Sequence, residues 1–167
     1  MQALIRKTIA IACICALSLL ALCGCADRNS GEASEAQKAN RAYMSQVNEA
    51  MDALKADLGG FVDAVSRDDV VNMRTQADNA FKRIDKLEAL TAPDALSDVH
   101  AKFIEGAKKL KSALDGYVAL YAEIRSATDE KPFDWSNYES RIAAIQAQYN
   151  EGVSILEEGD KLAADKS

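Results

Sequence analysis

Two cysteines that stand one residue apart, Cys23 and Cys25, are the side chains of this sequence best suited to chemistry. A C-x-C pair can bind a soft metal ion or exchange between a dithiol and a disulfide. A metal site would need further ligands, and after Cys25 the chain offers one histidine, His100, and no cysteine. The other cysteines, Cys13 and Cys15, lie before this point. The chemistry of the pair therefore depends on what the N-terminal segment is.

The N-terminal segment has three parts. Arg6 and Lys7 give it a positive start, residues 8–22 (TIAIACICALSLLAL) carry no charge, and polar residues follow Cys25. A charged start, a short apolar centre and a small residue at the end are typical of a secretory signal peptide. The alternative is an uncleaved transmembrane helix, but the apolar run is shorter than the roughly 20 residues that a membrane span needs.

The end of this segment, Leu22-Cys23-Gly24-Cys25, resembles the lipobox of bacterial lipoproteins. Leu22, Gly24 and Cys25 match the pattern, whereas Cys23 stands where Ala, Ser or Thr is usual. The resemblance implies that residues 1–24 are cleaved as a signal peptide and that diacylglycerol is attached to the sulfur of Cys25. No free thiol would then remain for a metal, a disulfide or catalysis.

The resemblance also implies a location. Acyl chains such as palmitate on Cys25 would hold the mature protein on the extracytoplasmic face of the cell membrane, since two chains anchor a protein stably and one does so only marginally. Residues 25–34 would form the lipidated cysteine and a polar tether, and residues 35–167 the body.

The charge of the body limits its partners. The whole chain has a formal charge of −6, and without Arg6 and Lys7 the 18 remaining basic residues stand against 26 acidic ones, which gives −8. An acidic body without a cluster of Lys and Arg argues against nucleic-acid binding. We therefore expect a membrane attachment that depends on lipid and no nucleic-acid partner.

Apolar residues recur at helical spacing in four segments of the body. In the first segment the stripe steps by three and four residues in turn: Met44, Val47, Met51, Leu54, Leu58, Phe61 and Val65. The fourth stripe begins with Trp135 and Tyr138. Long helices with short loops predict an all-α fold, a single antiparallel up-down-up-down four-helix bundle. The predicted helices span about 35–65, 68–90, 94–126 and 134–163.

Local signals predict where these helices begin and end. Gly59-Gly60 could end the first helix, but its stripe continues to Val65, so we place the turn at Ser66-Arg67. Ser66 with Asp69 predicts a capping-box start for the second helix. Asp134 is the predicted N-cap of the fourth helix.

The body offers little catalytic chemistry. His100 is expected at the surface or boundary of the third helix; the alternative is a haem or metal ligand, with Met44 at the same end of the bundle. Di-iron bundles need Glu-x-x-His, and the residue three before His100 is Ser97. We therefore predict no catalytic residue, no metal site and no cofactor, and a protein that is not an enzyme.

Aromatic residues gather where the third helix ends and the fourth begins: Tyr117, Tyr121, Phe133, Trp135 and Tyr138. Large rings can plug the wide end of a bundle, or they can form a pocket or a patch for an envelope protein partner at the membrane-distal end, since Tyr and Trp dominate binding hot spots. The resulting expectation is a binding, adaptor or structural component of the cell envelope. The alternative is a bundle that carries a small apolar molecule, haem or metal.

Overall fold

The computed structural model describes residues 34–166, and within that range it is helical, without strands. The long helices are α1 (Glu35–Ser66), α2 (Val70–Glu88), α3 (Ser97–Ser126) and α4 (Tyr138–Asp165). Short 3-10 turns, Asp94–Leu96 and Trp135–Asn137, lead into α3 and α4. The predicted all-α fold with four helices is confirmed. The predicted signal peptide, Cys25 and the predicted tether up to residue 33 lie outside the described residues.

Helix α1 begins at a capping box. The Ser34 hydroxyl accepts a hydrogen bond from the Gln37 amide at 3.3 Å, and the Gln37 side chain accepts one from the Ser34 amide at 3.0 Å. Ser34, the last residue of the predicted tether, is thus the N-cap of the helix. The helix continues through Gly59-Gly60 and ends at Ser66, where the sequence places the turn.

The turn between α1 and α2 depends on a residue with left-handed backbone. Asp68 has a φ of 56°, and its amide and that of Asp69 donate to the carbonyls of Val65 and Ala64. This pairing closes a helix C-terminus and usually uses glycine. The predicted Ser66–Asp69 capping box is wrong: Ser66 still belongs to α1, and Asp69 caps α2 alone by accepting from the Asn72 amide at 3.0 Å.

Replacing Asp68 with glycine is expected to raise the free energy of unfolding by about 0.5–1 kcal/mol, because glycine adopts this φ without a clash of its Cβ. Ala56→Gly, at an exposed position inside α1, should instead lower it by about 1 kcal/mol. Urea denaturation of the mature protein measures both changes. Equal losses in the two variants would contradict the role assigned to Asp68.

Consecutive helices pack against each other, and all four contribute to the main core. Its fully buried large side chains include Leu54, Met73, Ile84, Phe103, Leu110, Leu114 and Leu156. Two expectations about the stripes need correction. Met44 was expected in the buried stripe but is only partly buried. Its neighbour Tyr43 is buried instead, because the Tyr43 side chain turns towards His100 of α3. Trp135 is 49% exposed, because Phe133 takes the buried position at that end.

Polar contacts between α3 and α4 follow an ordered pattern. The pairs are Lys102–Glu158 at 2.9 Å, Lys109–Glu151 at 3.0 Å and Arg141–Glu123 at 2.6 Å. The residue numbers of the partners in α4 fall as the residue numbers in α3 rise. The contacts of α1 with α3 run the other way, from Tyr43–His100 to Phe61–Tyr117.

Glycines allow α3 and α4 to approach closely. A Cβ at Gly106 would lie 2.8 Å from the carbonyl oxygen of Gly152, and a Cβ at Gly152 would lie 3.0 Å from that of Gly106. Two turns further along α4, a Cβ at Gly159 would lie 3.0 Å from the Phe103 ring. These contacts fix the register of α4 along α3, and with it the position of the residues before α4.

Candidate functional site

The structure separates the five aromatics of the predicted patch into buried and exposed side chains. Tyr117 packs edge-on against Phe61 in the main core, with ring centroids 5.9 Å apart, and Tyr121 is also buried. Phe133 and Tyr138 are each 8% exposed. Trp135 alone of the five offers a large area to solvent.

Phe133, Trp135 and Tyr138 form a compact group, called here the tip cluster. Their ring centroids lie 4.8 Å (Phe133–Trp135), 5.5 Å (Trp135–Tyr138) and 6.4 Å (Phe133–Tyr138) apart. Phe133 and Tyr138 pack on the buried Leu120 of α3. Trp135 therefore rests on two side chains that are anchored in the protein, which restricts the rotamers that a free indole would sample.

The chain around Trp135 is fixed by local hydrogen bonds. Thr128 and Lys131 exchange backbone hydrogen bonds of 3.0 and 3.2 Å across a tight turn. The Asp134 carboxylate accepts from the Ser136 amide at 2.9 Å and from the Asn137 side chain at 3.2 Å. Asp134 is the predicted cap, although it caps the 3-10 turn and not α4 itself. The hydrogen bonds from Ser136 lower the pKa of Asp134, so this carboxylate stays ionised.

An arginine occupies the other side of the tip cluster. The Arg141 guanidinium lies 5.9 Å from the centroid of the Phe133 ring and donates to Glu123 of α3 at 2.6 Å. This hydrogen bond lowers the pKa of Glu123. The carboxylate therefore remains available to hold the guanidinium over the ring.

Tyr121 lies beneath the cluster with a buried hydroxyl that makes no hydrogen bond among the described residues. Burial raises its pKa, and the neighbouring Tyr138 phenol and the Asp68 carboxylate add to the effect. The Tyr121 and Tyr138 hydroxyls are thus close enough for each to affect the pKa of the other. Tyr121 keeps its proton at neutral pH and supplies packing, not acid–base chemistry.

The tip cluster shares its end of the molecule with the α1–α2 turn. Arg125, at the end of α3, donates to the Asp68 carbonyl at 3.4 Å. Val71, in the first turn of α2, is 77% exposed, and it and Trp135 are the exposed large apolar side chains of residues 34–166. Both therefore lie towards the same end.

The opposite end holds a polar pair that sequence reasoning missed. The Tyr43 hydroxyl and His100 Nδ1 are 2.8 Å apart, and their rings meet edge-on with centroids at 5.9 Å. Nearby, Lys166 is paired with Asp98. His100 is partly buried, in keeping with the expected boundary position. Of the residues considered as haem or metal ligands, Met44 is partly buried against the main core, and His100 is hydrogen-bonded through Nδ1 to Tyr43.

Replacing Tyr43 with phenylalanine is expected to lower the free energy of unfolding at pH 7 by about 1 kcal/mol, through loss of the hydrogen bond to His100. Burial raises the Tyr43 pKa from 10.0 to about 12, so the phenol's contribution is complete below pH 10 and is lost as the pH rises towards 12. The deficit of the variant should thus shrink above pH 10 in urea denaturation over a pH series. A deficit that is constant with pH would contradict this.

Other features of the described residues give weaker indications of a ligand. A groove of about 310 Å³ between α1 and α2 is open to solvent and lined mainly by Gln46, Glu49, Ala50, Arg83, Lys86 and Leu90. Between residues 34 and 166, His, Cys, Asp and Glu do not form a group of three or more that could hold a metal ion. In the same range, each helix is too short or too polar to cross a membrane.

No family model, curated protein or solved structure matches this chain.

Proposed function

We propose that this chain is a bacterial lipoprotein that is lipidated on Cys25 and held at the extracytoplasmic face of the cell membrane. Its helical body would act as a binding, adaptor or structural component of the cell envelope, without enzymatic activity. The observation that carries the proposal is the lipobox-like Leu22-Cys23-Gly24-Cys25, which ends a short apolar segment directly before polar residues. Two acyl chains on the Cys25 sulfur suffice for stable attachment.

We further propose that the body is an antiparallel up-down-up-down bundle. The falling order of α4 partners along α3, from Lys102–Glu158 to Glu123–Arg141, supports this direction. The Asp57–Arg83 pair of 3.1 Å supports contact between α1 and α2. Since α1 follows the tether, its start would lie near the membrane and its end at Ser66 would lie about 45 Å away at 1.5 Å per residue.

This orientation would display the tip cluster at the membrane-distal end. A half-exposed tryptophan held on buried rings is the kind of residue that anchors protein–protein contacts, because little conformational entropy is lost when it binds. The exposure of Trp135 therefore supports a role in binding an envelope protein.

Changing Cys25 to serine tests the location. In cells fed with labelled palmitate, we expect the wild-type protein to be labelled and recovered with membranes, and the Cys25→Ser variant to lose the label entirely. The matched control is Cys23→Ser, which places a usual residue at the tolerant lipobox position and should leave labelling unchanged. Equal labelling of wild type and Cys25→Ser, or label lost only in Cys23→Ser, would overturn the proposal.

A further inference from the structure

Among residues 34–166, two cations lie over aromatic rings, and a carboxylate holds each of them there. Lys111 Nζ lies 5.4 Å from the centroid of Phe81 and pairs with Asp85 at 2.8 Å. At the tip, Arg141 lies over Phe133 and pairs with Glu123, as described above. A cation is attracted to the face of a ring by the ring quadrupole, and a neighbouring carboxylate adds a direct charge interaction.

Trp135 is half exposed, and carboxylate side chains precede and follow it in the chain. Tryptophan is the ring that attracts cations most strongly. Asp134 precedes it, and Glu139 follows four residues later, in the first turn of α4. Glu139 is exposed and forms no ion pair with residues 34–166, and within that range no Lys or Arg lies over the indole. The exposed ring and the Glu139 carboxylate are therefore available to a cation from outside the described chain. The Asp134 carboxylate, which accepts from Ser136 and Asn137, adds a second negative charge nearby.

We propose that the exposed face of Trp135 is a docking site for an arginine- or lysine-bearing segment of a partner protein. The cation lies over the indole and pairs with Glu139, and the negative charge of Asp134 adds to the attraction. This inference deepens the proposed function by naming the partner's chemistry, and it rests on that proposal for the site's orientation away from the membrane.

Charge complementarity selects this occupant over other ligands that stack on tryptophan. The preceding loop adds the exposed carboxylates of Asp129 and Glu130 and the basic side chain of Lys131. The nearby Arg141 is already paired with Glu123. A negative surface of this kind attracts a cationic segment and repels anionic polymers, while a neutral sugar gains nothing from it. Val71, exposed at the same end, offers an aliphatic surface for a neighbouring side chain of the partner.

Because Trp135 is the only tryptophan of the chain, its fluorescence reports on this site alone. The probe is a blocked peptide of alternating Gly and Arg, added to the mature lipidated protein in an uncharged detergent. We expect a saturable change in Trp135 emission that weakens as salt is raised. The matched peptide of Gly and Glu should produce no change.

Neutral substitutions separate the proposed contacts from general charge effects. Asp134→Asn with Glu139→Gln keeps an N-cap residue and the side-chain shapes, and should weaken binding of the Arg peptide roughly fivefold. The control Glu49→Gln with Asp52→Asn removes the same charge from exposed positions in α1 and should leave binding unchanged. The Trp135→Ala variant lacks the fluorescent side chain, so its binding is measured by the fluorescence anisotropy of a labelled Arg peptide. We expect this variant not to bind the peptide.

Three results would overturn the docking site. These are no response to the Arg peptide, equal weakening in the two double variants, and a response to a neutral N-acetylglucosamine oligomer that the Arg peptide does not produce. The mass of the same mature protein reports lipidation independently, so failure of this site is distinguishable from failure of the proposed function.

Discussion

Replacing Gly106 with alanine is expected to lower the free energy of unfolding by about 2–3 kcal/mol, although alanine is the better helix former. Its Cβ would lie 2.8 Å from both the Gly152 carbonyl oxygen and Leu156 Cγ. The oxygen belongs to the backbone and cannot turn away as a flexible side chain can. Relief of the clash therefore requires α3 and α4 to move apart, which loosens the tightly packed core on both sides of the contact.

Gly59→Ala is the matched control for this substitution. A Cβ at Gly59 would meet nothing within 4 Å, and the position lies inside α1. Here alanine should raise the free energy of unfolding by about 0.5–1 kcal/mol, because it restricts the unfolded chain and suits the helix. Urea denaturation of both variants measures the effect of the same glycine-to-alanine change at the two positions. We expect the change in the free energy of unfolding to be negative at Gly106 and positive at Gly59. Stabilisation by both substitutions would contradict the close approach of α3 and α4.

Replacing Phe103 with alanine is expected to cost about 3–5 kcal/mol of stability. Phe103 is 0% exposed, and its ring covers Gly159 of α4. Loss of the ring removes apolar area from the core and leaves a cavity, and the surrounding helices can fill that cavity only in part. The same urea denaturation measures the loss.

Two further variants identify the cause of the Phe103 effect. Val71→Ala, at a side chain that is 77% exposed, should change stability by less than about 0.5 kcal/mol. Gly159→Leu should destabilise the wild type by overpacking, yet recover part of the loss in the Phe103→Ala background, since its side chain enters the space that the ring left. Purely additive losses would show that Phe103 and Gly159 are not in contact.

The sequence predicted the helices well because their apolar stripes are long and regular. Each stripe sets a buried face that persists over several turns. The prediction therefore continued α1 through Gly59-Gly60 to Val65, one residue before its end at Ser66. Helix starts were less accurate. A 3-10 turn before α3 and another before α4 share the sequence signals of a helix start, and so the predicted helices began at 94 and 134, before Ser97 and Tyr138.

Three of the five aromatics of the predicted patch, Phe133, Trp135 and Tyr138, lie together, in an arrangement that the sequence did not predict. Periodicity assigned Trp135 to the inward stripe, and it could not show that Phe133 fills the buried position at this end. The Tyr43–His100 pair joins residues 57 apart in the sequence. One feature of the sequence could have pointed to this pair: Tyr43 lies beside an apolar stripe, and a buried tyrosine hydroxyl usually needs a hydrogen-bond partner. The sequence could not predict the left-handed φ of Asp68, because the residue with this conformation at a helix C-terminus is usually glycine or asparagine.

The close contact of α3 with α4 has a consequence for the tip cluster. Gly106, Gly152 and Gly159 fix how far α4 extends along α3, and Tyr138 at its start must then meet Leu120 and Phe133. Trp135 is held in place through these two buried rings. Substitutions at the glycine contact are therefore expected to change the emission of Trp135 as well as the stability.

Intact mass spectrometry of the protein isolated from membranes of its native cells tests the central claim most directly. The account predicts a chain that begins at Cys25 and is heavier than its sequence by a diacylglycerol group, with or without a third acyl chain. A chain that still begins at Met1, or one that begins at residue 25 with an unmodified thiol, would contradict it.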